Sequence, residues 1–137
     1  QHSSSDILLA VGELYASTGD AKYLPFFENN LTEVSGFSAI YFMDAYVELA
    51  VNSDLETTKD VADDLNALAL GESTSPWIKF GATRGLNEMR KAFEQAEEKE
   101  QQAYAETLLE RLKTIKASEK NPQLLSFYNQ MLSDIKP

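Results

Sequence analysis

The side chains best placed for chemistry are two carboxylates, Asp44 and Glu48, inside the most apolar stretch of the chain. They are four residues apart, so on a helix both lie on one narrow stripe. A pair of carboxylates in an apolar setting can perform general acid–base chemistry. The alternative, which the pattern favours, is that the two residues form the solvent-facing stripe of a helix that is otherwise buried.

The sequence contains few residues that could bind a metal ion or act as an activated nucleophile. The chain has one histidine, His2, and no cysteine, whereas zinc sites are built mainly from His and Cys ligands. Asp60, Asp63 and Asp64 are the best candidates for calcium or magnesium, but they lack the EF-hand spacing and glycine and are expected to be a solvated helix face. No Ser or Thr has an evident neighbouring base. We therefore predict no catalytic, cofactor-binding or metal-binding residue in this chain.

Two aromatic residues, Trp77 and Phe80, follow a strong signal for the start of a helix. Ser75 is a favoured N-cap residue, and Pro76 suits the first helical position. Aromatic side chains exposed at such a place would anchor a protein partner, whereas buried ones would simply belong to the core, which is the commoner case. The candidate interface or cavity residues are therefore Asp44, Glu48, Trp77 and Phe80.

The segment that must position the two carboxylates covers residues 35–52. Its only charges are Asp44 and Glu48, and its apolar side chains cover nearly every other direction of a helix. A helix of this kind is either buried or spans a membrane. The carboxylates interrupt the run well short of the roughly 20 apolar residues that spanning requires. We therefore predict a central buried helix with Ser35 or Thr32 as its N-cap.

Helical periodicity covers most of the remaining chain. The first helix has Ser5 or Asp6 as its N-cap and ends at Gly19, a favoured left-handed C-cap. A second helix follows the Asp20 cap and extends to Leu31. Further helices are predicted over residues 55–70, 76–93, 104–115 and 122–135.

Two details of this helical pattern concern how the helices pack and where they end. Gly81 and Gly85 are four residues apart, which in a helix permits close approach of a neighbour. Residues 94–102 are rich in Glu, Lys and Gln and form either an exposed helix or a bend. No alternation of apolar and polar residues persists over the length of a strand. The prediction is therefore an all-α fold of about seven helices.

A short motif recurs along the chain. It reads Val-Gly-Glu-Leu at 11–14, Tyr-Val-Glu-Leu at 46–49 and Leu-Asn-Glu-Met at 86–89, at steps of 35 and 40 residues. Such steps are typical of two-helix solenoid repeats, in which each repeat buries its apolar face against the next. We predict a short right-handed superhelix (an α-solenoid) of about three antiparallel helix pairs plus a C-terminal helix. The alternative is an irregular helical bundle.

The first predicted helix pair resembles a known class of repeat. Residues 14–20, Leu-Tyr-Ala-Ser-Thr-Gly-Asp, and 23–27, Tyr-Leu-Pro-Phe-Phe, resemble a HEAT or HEAT-like repeat, in which a Gly-Asp turn separates the helices and Leu-Pro opens the second. The resemblance is looser over residues 35–93. It implies one HEAT-like domain over residues 6–137. Residues 1–5 are by themselves expected to be a disordered leader or an expression remnant.

A second resemblance concerns residues 75–82, Ser-Pro-Trp-Ile-Lys-Phe-Gly-Ala. With the HEAT-like pairs before them and the Glu/Lys/Gln-rich segment after them, they resemble the C-terminal helical region of bacterial zinc aminopeptidases of the aminopeptidase N family. The family's His-Glu-x-x-His zinc signature and Gly-x-Met-Glu-Asn substrate motif are absent from this sequence. The resemblance implies a non-catalytic accessory domain that packs on the catalytic domain of a parent chain and limits access to the active-site cavity. Zinc would belong to that parent enzyme, in the periplasm or cell envelope.

Two other functions are compatible with the residues. In the first, the chain is a free-standing HEAT-like scaffold that binds a protein or peptide partner, and a cytoplasmic location is expected. Alternatively it is an enzyme that uses Asp44 and Glu48, which requires at least one of these carboxylates to reach a cavity.

The charge distribution restricts the partners. The formal net charge is −10, with 13 acidic and 3 basic residues in 1–80 but nine of each in 81–137. The acidic part favours cationic ligands or a basic partner surface, unless it serves only as a solvated surface. Nucleic-acid binding needs a basic footprint, and anionic membranes attract basic segments. We therefore expect neither nucleic acid nor a membrane as a partner.

Overall fold

The computed structural model describes residues 4–135, and within that range the chain is all-α, as predicted. It forms seven α-helices, and a single 3-10 turn (Ala21–Tyr23) precedes the second of them. The helices are α1 (Ser4–Thr18), α2 (Leu24–Glu28), α3 (Phe37–Val51), α4 (Leu55–Leu70), α5 (Pro76–Glu94), α6 (Lys99–Ser118) and α7 (Pro122–Met131).

The α3 helix lies at the centre of the fold, as its apolar sequence predicts. It packs between α1 and α5, while α2 and α4 also cover it. The α4 and α6 helices pack on α5, and α7 lies against α5 and α6. The row of α1, α3 and α5 is the order that stacked repeats would produce, and the right-handed superhelix stays a prediction. Phe42, Met43, Tyr46 and Leu49 are fully inaccessible to solvent.

The glycine pair of α5 allows the close helix approach that its spacing predicts. A Cβ atom added at Gly81 would lie 3.2 Å from the Ala39 carbonyl oxygen, and one added at Gly85 would lie 2.9 Å from Val47 Cγ2. The α5 backbone therefore rests directly on α3. Because backbone atoms cannot move aside as a flexible side chain can, larger residues at Gly81 would separate the two helices.

The second helix is shorter than predicted. Asp20 accepts a hydrogen bond from the Lys22 backbone N–H as expected, but a 3-10 turn follows, and α2 begins only at Leu24. Pro25 has no N–H to continue the earlier turn, so the α-helix restarts around it. Asn30 Nδ2 donates to the Phe26 carbonyl and ends the helix. Leu31 lies outside it, in the following turn.

The start of α3 also differs from the prediction. The N-cap is Gly36, with φ of +59°, rather than Ser35 or Thr32, because only glycine adopts this conformation readily. The Ser35 hydroxyl instead lies 3.0 Å from the hydroxyl of Ser5. Ser5 is buried in α1, so residues 4 and 5 belong to the fold and not to the predicted leader. Residues 1–3, including His2, lie outside the described residues.

The structure decides two features that the sequence leaves open, the shape of residues 94–102 and the equivalence of the recurring motif. The chain bends within the range 94–102, because α5 ends at Glu94, residues 95–98 are not helical, and α6 begins at Lys99. The recurring motif is not equivalent in all three helices: Leu49 and Met89 are fully buried, but Leu14 is 63% exposed. Since α1 ends the row of helices, Leu14 has no further helix to cover it.

Candidate functional site

An apolar depression with exposed aromatic side chains lies where α3, α5 and α7 begin. It has a volume of about 500 Å³, and we call it the aromatic groove. The residues that line it are Phe37, Ile40, Pro76, Trp77, Phe80, Asn121, Gln123, Leu124 and Phe127. Two of the predicted candidates, Trp77 and Phe80, therefore lie in the same cavity.

The aromatic side chains of the groove are exposed to an unusual degree. Phe37 is 68% exposed, Trp77 41% and Phe127 50%, while Phe80 is half-buried. The rings of Phe37 and Trp77 are 4.6 Å apart, and those of Phe80 and Phe127 are 5.8 Å apart in an edge-to-face arrangement. Trp77 is thus a surface residue and not part of the core, and the four rings form two contacting pairs.

Local capping interactions hold the helix starts that carry these rings. The Ser75 hydroxyl accepts a hydrogen bond from the Ile78 backbone N–H, as its sequence position predicts. The Asn121 side chain accepts from the backbone N–H groups of Gln123 and Leu124. These N-caps satisfy donors that the first helical turn leaves unpaired. The caps fix the directions in which α5 and α7 enter the groove.

A partly buried ion pair connects α5 to the segment that precedes α7. Lys79 Nζ on α5 lies 3.1 Å from Glu119 Oε1, and the Glu119 side chain is only 5% exposed. The other carboxylate oxygen accepts from the backbone N–H groups of Lys120 and Asn121. Burial of Glu119 opposes ionisation, but the hydrogen bonds from Asn121 and Lys79 outweigh it and lower the pKa below the ordinary 4.5.

The Glu119→Gln variant is expected to be less stable than the native chain by about 1 kcal/mol near pH 7, because it loses a charge-assisted pair. Since the folded-state pKa is lowered, the stabilisation by Glu119 is complete above the unfolded-state value and disappears as the pH falls through the folded-state value. The difference between the two proteins should therefore shrink below about pH 4.5. Urea denaturation at several pH values measures it.

The matched control for this prediction is Glu106→Gln, an exposed residue on α6. It removes the same charge without a partly buried partner, so its stability should stay within about 0.5 kcal/mol of the native value. A Glu119→Gln deficit that persists unchanged at pH 3 would show that the pair does not act through the ionised carboxylate.

The other two predicted candidates, Asp44 and Glu48, line a second and smaller pocket. It has a volume of about 210 Å³ between α1 and α3, and we call it the acidic pocket. Its lining residues are Glu13, Ser17, Tyr41, Asp44, Ala45 and Glu48. Arg84 of α5 donates to both Asp44 carboxylate oxygens, and this hydrogen bond raises the pKa of the guanidinium group.

The acidic pocket meets the condition set for the enzyme hypothesis, since both carboxylates reach a cavity. However, Asp44 is half-buried and already paired with Arg84, and Glu48 is exposed. The two carboxylates thus lie on a solvent-facing stripe of α3 that contains one ion pair. This arrangement is close to the solvent-facing stripe that the sequence favours over an acid–base pair. It provides no apolar enclosure that would set the two carboxylates apart as acid and base.

Two of the three remaining acidic candidates, Asp63 and Asp64, make structural contacts. Asp63 lies 2.8 Å from Arg111 of α6, and Asp64 accepts a hydrogen bond from the Tyr46 hydroxyl. Within residues 4–135 no group of three or more His, Cys, Asp or Glu side chains is arranged to hold a metal ion.

Another cavity of about 520 Å³ lies between α6 and α7. Its large apolar lining residues are buried or half-buried, as with Leu112, Leu125 and Leu132. None of the large apolar side chains that the described part of the chain exposes lies in this cavity. The aromatic groove is therefore the stronger candidate for recognition.

Phe37 and Phe127 are functional candidates that the sequence analysis missed. A signal exists for Phe127, because it lies beside the apolar face formed by Leu124, Tyr128 and Met131, where a large apolar side chain is not needed for packing. Phe37 gives no such signal, since the whole segment around it is apolar. Only the packing of α3 shows which of its side chains are left uncovered.

The fold and this surface define an all-α domain with an exposed aromatic groove next to an acidic pocket. Comparison of the chain with protein-family models, curated proteins and solved structures finds no match. In the described part of the chain, no helix combines the length and apolar character needed to cross a membrane.

Proposed function

We propose that this chain is a non-catalytic protein-interaction domain, and that its aromatic groove binds an apolar segment of a protein partner. The observation that carries this proposal is the cluster of Phe37, Trp77 and Phe127, three large and substantially exposed side chains around one cavity. Exposed apolar clusters of this kind mark interaction sites, and aromatic residues are enriched in interface cores.

The groove is preorganised, so it can accept a partner's side chain with little rearrangement. Its walls belong to helices that are fixed by N-caps and by the Lys79–Glu119 pair, so little order has to be gained on binding. Preorganised sites of this kind bind more tightly because the entropic cost of ordering is already met. Burying a partner's Leu or Phe side chain here would contribute about 1.5–3 kcal/mol.

The test uses Trp77, which is the only tryptophan of the chain and therefore reports on the groove alone. Degenerate ten-residue peptide pools with one fixed Phe or Leu are titrated while the Trp emission is followed. We expect a saturable change in emission with at least one pool. The Phe127→Ala variant should bind at least about tenfold more weakly, as truncation of an interface anchor does.

Leu70→Ala is the matched control for Phe127→Ala. Leu70 is 40% exposed at the end of α4 and does not line the groove. Its replacement should leave the affinity unchanged. The proposal is wrong if no pool changes the emission, or if Phe127→Ala and Leu70→Ala have the same effect.

We further propose that the partner is the catalytic domain of a parent zinc aminopeptidase, on which this domain would pack without catalytic residues or zinc of its own. The supporting observation is the outer side of α1, where Ile7 and Leu14 are 55% and 63% exposed. The end repeat of a free-standing solenoid needs a polar outer face, so these residues favour a covering protein. In a free-standing scaffold, the partner would be a separate protein.

Sequencing the reading frame upstream of Gln1 separates the two settings. An in-frame His-Glu-x-x-His some hundreds of residues before it would support the accessory domain. A start codon or a cleaved signal sequence directly before Gln1 would rule it out and leave the free-standing scaffold.

A further inference from the structure

The aromatic groove and the acidic pocket are two ends of one continuous surface. Phe37, Tyr41, Asp44 and Glu48 follow one another at helical spacing along a single side of α3. Phe37 lines the groove, while the other three line the acidic pocket. Phe37 and Tyr41 are 68% and 54% exposed, and Glu48 is exposed too. A ligand held in the groove can therefore extend along α3 into the pocket.

This surface carries an excess of negative charge. Glu13, Asp44, Glu48 and Glu88 are acidic, and Arg84 is the cation among them, held by Asp44. Glu13, Glu48 and Glu88 are the glutamates of the recurring sequence motif, so the repeat places one carboxylate on each of α1, α3 and α5. Glu13 and Glu48 line the acidic pocket, and Glu88 is exposed on α5, one helical turn after Arg84.

We infer that the partner of the groove is a cationic protein segment, a statement that rests on the proposed function. An apolar side chain of the segment occupies the aromatic groove, and a Lys or Arg side chain three to five residues along reaches the acidic pocket. The spacing follows from α3. Phe37 is seven residues from Asp44 and eleven from Glu48, or roughly 10–16 Å at the helical rise of about 1.5 Å per residue. An extended chain covers that span in about three to five residues.

The pocket suits a cationic side chain in two ways. The carboxylates of Glu13 and Glu48 supply negative charge, and the exposed ring of Tyr41 offers a face for a cation–π contact. At the opposite end, Lys120 adjoins Asn121 of the groove wall. Positive charge of the partner is therefore expected on only one side of its apolar anchor, which fixes the direction in which it lies.

A second copy of the same chain is a poorer occupant. The chain has a net charge of −10, and two acidic surfaces brought together repel each other. A basic segment gains from the same field, both in encounter rate and in specificity. Charge complementarity therefore selects a basic partner over self-association.

The experiment compares three peptide pools that share one fixed Phe and differ at the positions three to five residues along, where they carry Lys/Arg, Ser/Gln or Asp/Glu. Affinities are measured by Trp77 emission. The cationic pool is expected to bind about tenfold more tightly than the acidic pool at low ionic strength. That advantage should fall severalfold when the salt is raised from about 0.05 to 0.5 M, because salt screens exposed charges.

The Glu13→Gln/Glu48→Gln double variant should lose most of the preference for the cationic pool and keep its affinity for the neutral one. The matched control, Glu97→Gln/Glu106→Gln, removes two exposed charges in the bend and on α6 and should keep the preference. Equal binding of all three pools would overturn the inference but leave the proposed function standing. Failure of every pool to bind would overturn both.

Discussion

Replacing Phe42 by alanine is expected to lower the free energy of unfolding by about 3–5 kcal/mol. Phe42 is fully buried at the centre of α3. Its ring lies 5.0 Å from that of Phe27 and 6.0 Å from that of Phe26. It also fills the space over Gly12 of α1, where an added Cβ would come within 3.1 Å of the ring. Its loss leaves a cavity between three helices, and urea denaturation followed by circular dichroism measures the cost.

The matched control is Phe37→Ala, the same substitution five residues earlier in the same helix. Phe37 is 68% exposed, so its truncation should cost less than about 1 kcal/mol. The two variants should also separate by function, because Phe37→Ala removes a wall of the groove and weakens peptide binding. Equal losses of stability would mean that α3 is not oriented as described.

Replacing Tyr128 by alanine is expected to cost about 3–5 kcal/mol and to loosen α7 before the rest of the fold. Tyr128 is fully buried, stacks at 6.5 Å on Phe80, and its hydroxyl lies 3.0 Å from that of Thr83. It is one of only two residues that α7 itself buries. Because α7 supplies Leu124 and Phe127 to the groove, the emission of Trp77 should report the loosening at a lower urea concentration than the circular dichroism signal.

Tyr128→Phe separates the ring from the hydroxyl. The Thr83 hydroxyl keeps its hydrogen bond to the Lys79 carbonyl, so the variant should lose only about 1 kcal/mol and retain a single transition. Burial raises the pKa of Tyr128 to about 12, so the hydroxyl stays neutral and this small difference should not change between pH 6 and 9. If Tyr128→Ala still unfolds in one coincident transition, α7 is not an independent unit.

The two series connect the core to the proposed binding surface. Phe42 fixes α3, which carries Phe37 and the acidic stripe, and Tyr128 fixes α7, which carries Phe127. The groove is therefore formed by the starts of three helices, and side chains outside the groove hold these helices in place. Variants in the supporting residues should weaken peptide binding only to the extent that they unfold a helix, whereas variants of the exposed groove residues Phe37 and Phe127 should weaken it with little loss of stability.

A buried guanidinium group on α5 similarly holds the segment that follows α7. Arg90 has a side chain that is only 4% exposed, and it contacts Asn87, Glu94 and Asp134. The hydrogen bond from Arg90 to Asp134 lowers the pKa of that carboxyl group. This contact attaches the segment after α7 to α5. Nothing in the local sequence around Arg90 distinguishes it from an exposed arginine.

The sequence by itself determined the features that depend on neighbouring residues. The all-α class, the break at Gly19, the N-caps at Asp20 and Ser75, and the central position of α3 all follow from hydrogen bonding, steric restriction and apolar content within one turn or one segment. The spacing of Gly81 and Gly85 also predicted a close helix contact, because glycine inside a helix lowers its stability unless close packing compensates.

Only the tertiary structure decided which side of each helix is covered. Phe37 and Phe42 belong to the same apolar run, yet one is exposed and the other buried, because α1, α2, α4 and α5 together cover only part of α3. The groove joins residues 37, 77 and 127, and the Asp44–Arg84 pair joins residues forty positions apart. Such juxtapositions depend on how helices pack across the fold, and the periodicity of a single segment carries no information about its neighbours.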